Sequence, residues 1–146
     1  MLSMSDIEER NKSIVARFGE AVAGGRMNVL EELVAADFVR HCQATPWLDV
    51  HSREDFKRFL EEDRAAVPDG RVTPRLLIAE GDYVAVWANY TGTQTGAWGQ
   101  LPPSNRRFDL EVSMVFRLAE GRIAEMWATW DNLSMLKQVG HGIGPS

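Results

Sequence analysis

The sequence predicts an α+β domain in which three helices come first, an antiparallel-rich sheet follows, and a short helix closes the chain. Three observations predict it. Apolar residues recur at helical spacing as far as Val67, β-rich runs occupy Arg71 to Trp130, and glycine-bearing turns join consecutive runs. The 146 residues fit one domain spanning 1–146, since a chain of that length buries most of its unfolded surface in a single core.

The first helix is predicted from Ser5-Asp6-Ile7-Glu8, whose spacing suits a capping box in which Ser and Glu satisfy each other's free N–H groups. Ile7, Ile14, Val15, Phe18 and Val22 then form one stripe until Gly24-Gly25 ends it. Asn28 to Glu31 repeats the start signal for a short second helix that buries Leu30, Leu33 and Val34. Ser52 to Asp55 opens a third, with Phe56, Phe59, Leu60 and Val67 inward and Pro68 as its stop.

Four strands are expected next: "RVTPRLLIAE", "DYVAVWANYTGTQTG", "RRFDLEVSMVFRLAE" and "RIAEMWATW". Ala79-Glu80-Gly81 and Ala119-Glu120-Gly121 join neighbours, each with a glycine that can take the positive φ of a tight hairpin. "GAWGQLPPSN" is a loop by its glycines and prolines. A curved sheet closing over the helices is the expected architecture.

Composition excludes several functions. With 45% hydrophobic and 25% charged residues the chain has the balance of an ordinary globular domain. A net charge of −5, with 16 basic residues scattered, provides no positive stripe for nucleic acid. Charged residues throughout the first helix leave no signal core, and no run of roughly 18 apolar residues could cross a membrane. Cys42 is the only cysteine, so no intrachain disulfide forms, and the cytoplasm is the expected location.

The segments "AADFVRH", "REDFKRFL", "AVPDGRV", "IAEGDYVAVWANYTGTQTG", "LPPSNRRF", "FRLAEGRIAEMWATWD" and "LKQVG", in this order, resemble the SnoaL-like polyketide cyclase family of the nuclear-transport-factor-like superfamily. The resemblance covers about Ile7 to Gly140. It implies a conical fold, in which three helices and a strongly curved sheet enclose one apolar pocket, and a homodimer formed through the sheet. It also implies cofactor-free chemistry: cyclases of the family close a ring by an intramolecular aldol reaction, using an aspartate on the last strand and a histidine on the strand before it. Matching "FRLAEGRI" to the family's turn puts the histidine position at Met114 and the aspartate position at Ala128, and neither side chain transfers a proton.

Strand alternation places Ala124, Met126, Ala128 and Trp130 on one side, and Val112, Met114 and Phe116 on one side of the preceding strand. These line the expected apolar pocket, or else fill it themselves. Trp47 and Trp98 lie in loops beside Pro and Gly, where they could close over a ligand, and Tyr90 could offer a hydroxyl to a carbonyl. His41 and Asp131 are the best remaining acid/base pair for a cyclisation or isomerisation. Other roles stay open for them: a strand histidine with a backbone partner, and a cap for the helix bearing Leu133, Leu136 and Val139. His41, Cys42 and His51 lack ligand spacing, so no metal is called for, and Asp109 and Glu111 belong on the outer face of the sheet. A binding protein without chemistry, or an interaction subunit of the same fold, remains the alternative to a cyclase.

Overall fold

The computed structural model describes residues 1–142. Helix α1 (Met4–Ala23) is capped by Ser3 rather than Ser5. The Ser3 hydroxyl accepts the Asp6 N–H, and the Asp6 carboxylate accepts the Ser3 N–H in return. Both serines suit the local pattern, and the earlier start prevails because each added helical residue completes another backbone hydrogen bond. At the far end, Arg64 donates to the Val22 and Ala23 carbonyls in the last turn of α1.

A 3₁₀ turn (Met27–Val29) leads into α2 (Leu30–Leu33), a single turn without a side-chain cap. Val34 then opens strand β1 (Val34–His41), so it is a strand residue and not part of the second helix. Helix α3 (Arg53–Ala66) starts where expected, with the Ser52 hydroxyl accepting the Asp55 N–H at 3.0 Å. Strands β2 (Arg71–Glu80), β3 (Tyr83–Thr93), β4 (Arg107–Ala119) and β5 (Arg122–Trp130) follow, then helix α4 (Asn132–Gln138).

Five strands, not four, make the sheet, in the order β1-β5-β4-β3-β2. β1 lies parallel to β5 and the other neighbours are antiparallel. The β4–β5 turn places both Glu120 (φ 53°) and Gly121 (φ 77°) in the left-handed region, the geometry whose twist matches a two-residue hairpin.

The strongly curved, closing sheet expected above does not form. The sheet is open, with β1 and β2 as separate edges that do not pair with each other. Closure depends on tilt and stagger summed over all strands, which the alternation within each strand does not encode.

One face of the sheet carries the core. Phe38 stacks on Phe56 at 4.3 Å between ring centroids, and Phe18 reaches Phe56 at 5.7 Å and Phe116 at 5.8 Å, so β1, α3, α1 and β4 meet in one aromatic chain. A register shift beside Leu118 leaves Ala124 without a partner, so buried Ile123 accompanies Met126 and Ala128 inward in its place. A second, smaller cluster forms around Ala66, Val67, Phe108, Leu110, Met135 and Val139, under α4. Among the described residues no helix is long and apolar enough to cross a membrane.

Candidate functional site

Helix α3 turns Phe56, Phe59 and Leu60 toward the core, and Asp63 follows Phe59 by one helical turn. Its carboxylate therefore sits on the apolar stripe. Tyr90, on the inner face of β3, donates its hydroxyl to Asp63 Oδ2 at 2.8 Å. The Trp98 indole N–H donates to Asp63 Oδ1 at 3.1 Å.

Trp98 belongs to the loop between β3 and β4, which fully buried Gln94 organises. The Gln94 side-chain amide donates to the Gly96 and Pro102 carbonyls, and its Oε1 lies 3.0 Å from His141 Nε2. Gly96 donates its N–H to the Ala66 carbonyl at 2.9 Å, which docks the loop on the end of α3. A Cβ there would stand 2.5 Å from the Ala65 carbonyl oxygen.

Arg40 enters from β1, level with Met126. It is only 8% exposed, its guanidinium carbon lies 4.2 Å over the centre of the Phe59 ring, and its Nη1 is 3.4 Å from the Thr45 hydroxyl.

These groups differ in proton affinity from their ordinary forms. Burial pushes the Asp63 carboxyl up, against the hydrogen bonds from Tyr90 and Trp98 and the nearby Arg40 charge. Burial, with the Asp63 charge adding to it, pushes the Tyr90 phenol up. Burial lowers the Arg40 guanidinium. Asp63 is nonetheless half-buried by solvent contact, as are Phe59, Leu60, Tyr90, Met114 and Trp130. A carboxyl deep among protein atoms yet touched by solvent lies along a seam, here between the larger aromatic core and the α4 cluster.

Of the pocket residues expected from sequence, Tyr90, Trp98, Met114 and Trp130 border this seam. Val112, Phe116, Met126 and Ala128 are buried in packing. Met114 and Ala128 stand directly opposite one another across β4 and β5. Trp47 is 70% exposed on the loop between β1 and α3.

The structure does not bring His41 and Asp131 together. His41 pairs with Trp127, four residues before Asp131, a separation of roughly 13 Å along the strand. Its ring stacks on Trp127 at 5.3 Å, and its Nε2 lies 2.6 Å from Glu125 Oε2, on the sheet face away from the helices. That hydrogen bond, and Arg117 beside it, hold the Glu125 carboxyl below its ordinary range. Asp131 caps α4 by accepting the Ser134 N–H at 3.0 Å. It also borders an open groove of about 380 Å³ with exposed Asp109 and Glu111, whose lining does not include Asp63.

Asp63, Arg40 and Gln94 escaped the sequence-based prediction. A signal existed for Asp63, an acidic residue in phase with Phe56, Phe59 and Leu60. Arg40 alternates inward with Phe38, but apolar Val39 lies between them on the other side, so hydrophobicity alone does not mark the inner face of β1.

The profile of the SnoaL-like polyketide cyclase family matches residues 13–139. Among solved structures, IdmH of Streptomyces antibioticus, a candidate polyketide cyclase, is 31% identical. That alignment covers 89% of this chain and 98% of IdmH, with a TM-score of 0.77. A candidate SnoaL-like polyketide cyclase from Jannaschia sp. CCS1 is 26% identical over 99% of this chain and 100% of its own, with a TM-score of 0.86. AclR of Streptomyces galilaeus, a candidate hydroxylase, shares the fold at 22% identity over 94% of this chain and 98% of its own, with a TM-score of 0.76. No curated protein matches the chain. Profile and structures agree over nearly the full length, and the chain belongs to the SnoaL-like polyketide cyclase family.

Proposed function

We propose that the chain binds a flat, apolar, carbonyl-bearing molecule of polyketide type along the seam, and that Asp63 moves a proton on it without a cofactor. One observation carries the proposal: a carboxylate on the apolar stripe of α3, held by Tyr90 and Trp98. Its raised proton affinity suits removal of a proton from carbon next to a carbonyl, as an aldol cyclisation or an isomerisation requires. Tyr90 and Trp98 orient the carboxylate, and the same group then returns the proton to the new alkoxide or carbon. Met114, Trp130 and Phe59 supply apolar surface for the ring system.

The test is deuterium exchange at the carbon between the carbonyls of an aromatic 1,3-diketone, followed by NMR. The wild type is expected to accelerate exchange, and Asp63→Asn to lose about 10²- to 10⁴-fold of that rate while circular dichroism stays unchanged. Full exchange in Asp63→Asn overturns the assignment.

A second reading, binding without chemistry, draws on Met114 and Ala128, which face each other where the resemblance places the family's catalytic pair. It expects diketone binding with no acceleration. We also propose that the chain is a homodimer through the outer sheet face, which exposes Leu76, Ile78, Tyr83, Trp87 and Trp127. Cytoplasmic residence is proposed from the lone free Cys42.

A further inference from the structure

We propose that Arg40 is a carboxylate-binding residue, so that the seam takes an organic acid rather than a neutral ester. The inference rests on the seam being the ligand site, as argued above. Arg40 is more than nine-tenths buried and projects from the inner face of β1 over Phe59. Among the described residues no carboxylate lies within ion-pairing distance of it, and its Nε–H has no hydrogen-bond partner.

The guanidinium has a long contact to Thr45, and its buried Nε–H is costly because it has been taken from water without a hydrogen-bond partner. Cys42 sulfur is close by, and it is not a carboxylate. Asp63, whose charge Arg40 does feel, is turned to Tyr90 and Trp98 instead. The internal ion pair that would explain a purely structural arginine is therefore not made.

A ligand carboxylate would accept from the Nε and Nη edges together, the bidentate geometry a guanidinium favours. Phe59 fixes the plane of that fork by lying against one face. The ring system of the ligand would then run along the seam, with its reacting carbonyl at Asp63 and its acid group at Arg40. A methyl ester has one carbonyl oxygen and no charge to offer, and it leaves the fork largely unsatisfied. The acid and carbonyl groups thus occupy opposite ends of one molecule.

Calorimetric titration with 2-naphthoic acid and methyl 2-naphthoate tests this. Wild type is expected to bind the acid about tenfold or more tightly than the ester, and Arg40→Gln to erase that preference while ester affinity changes less than about threefold. Arg40→Lys covers the case in which Arg40→Gln does not fold. It keeps the charge without the fork, and the preference should fall at least about threefold. Equal binding of acid and ester by the wild type, or a preference undiminished in the variants, overturns the role of Arg40 and leaves the seam standing. If neither compound binds the wild type, the seam itself is not the ligand site and this inference falls with it.

Discussion

Asp63, the proposed proton-transfer group, also makes stability depend on pH. Its carboxyl is raised above the ordinary 3.8, so the folded protein holds the proton more tightly than the unfolded chain does. The stability from this group is fully present below pH 3.8 and is lost as pH rises through the raised folded value. Melting temperatures of the wild type should therefore fall relative to Asp63→Asn as pH climbs through that window. A difference that stays flat with pH would show that Asp63 titrates as it does in the unfolded chain. Its place on the inner stripe was legible in the sequence, because helical phase is a local property. That Tyr90 and Trp98 both donate to it was not, since they lie 27 and 35 residues away along the chain.

At the scale of elements, the β3–β4 loop shows how punctuation differs from placement. Glycines and prolines mark it as a loop in the sequence, and it docks on α3 through the close approach at Gly96 and the Trp98 hydrogen bond to Asp63. Gly96→Ala would place a methyl group 2.5 Å from the Ala65 carbonyl oxygen and 3.0 Å from the Ala66 Cα, both backbone atoms that cannot swing aside. The loop must then lift and carry the Trp98 indole away from Asp63. The expected cost is about 1–3 kcal/mol in denaturant unfolding, together with a shift in tryptophan emission. An unchanged midpoint and spectrum would show that the loop tolerates the methyl group in place. Strand β1 illustrates the opposite failure of local signals. Ala35, Ala36 and Asp37 precede Phe38, a register shift falls in this stretch, and the inward pair of Phe38 and Arg40 beyond it has an apolar Val39 on the outer side, so the residue types do not reveal the alternation.

For the molecule as a whole, the open sheet leaves one face to the helices and the other bearing aromatic rings. Tyr83 and Trp87 on β3 and Trp127 on β5 are 47%, 42% and 36% exposed. An apolar patch of this breadth is costly to leave in water, which supports its use as a subunit interface. Trp87→Glu combined with Trp127→Glu is expected to convert a dimer to monomers in sedimentation velocity. A wild type that sediments as a monomer at tens of micromolar would rule the interface out. By itself the sequence determined the helix and strand types of most elements, the α3 cap, the hairpin turns and the family, because periodicity, capping and turn chemistry act over a few neighbouring residues. Tertiary structure alone decided that β1 joins the sheet parallel to β5, that the sheet stays open, that His41 faces Glu125 instead of Asp131, and that Arg40, Asp63, Tyr90 and Trp98 share one seam. Those outcomes depend on contacts between residues far apart in the chain, which no local pattern specifies.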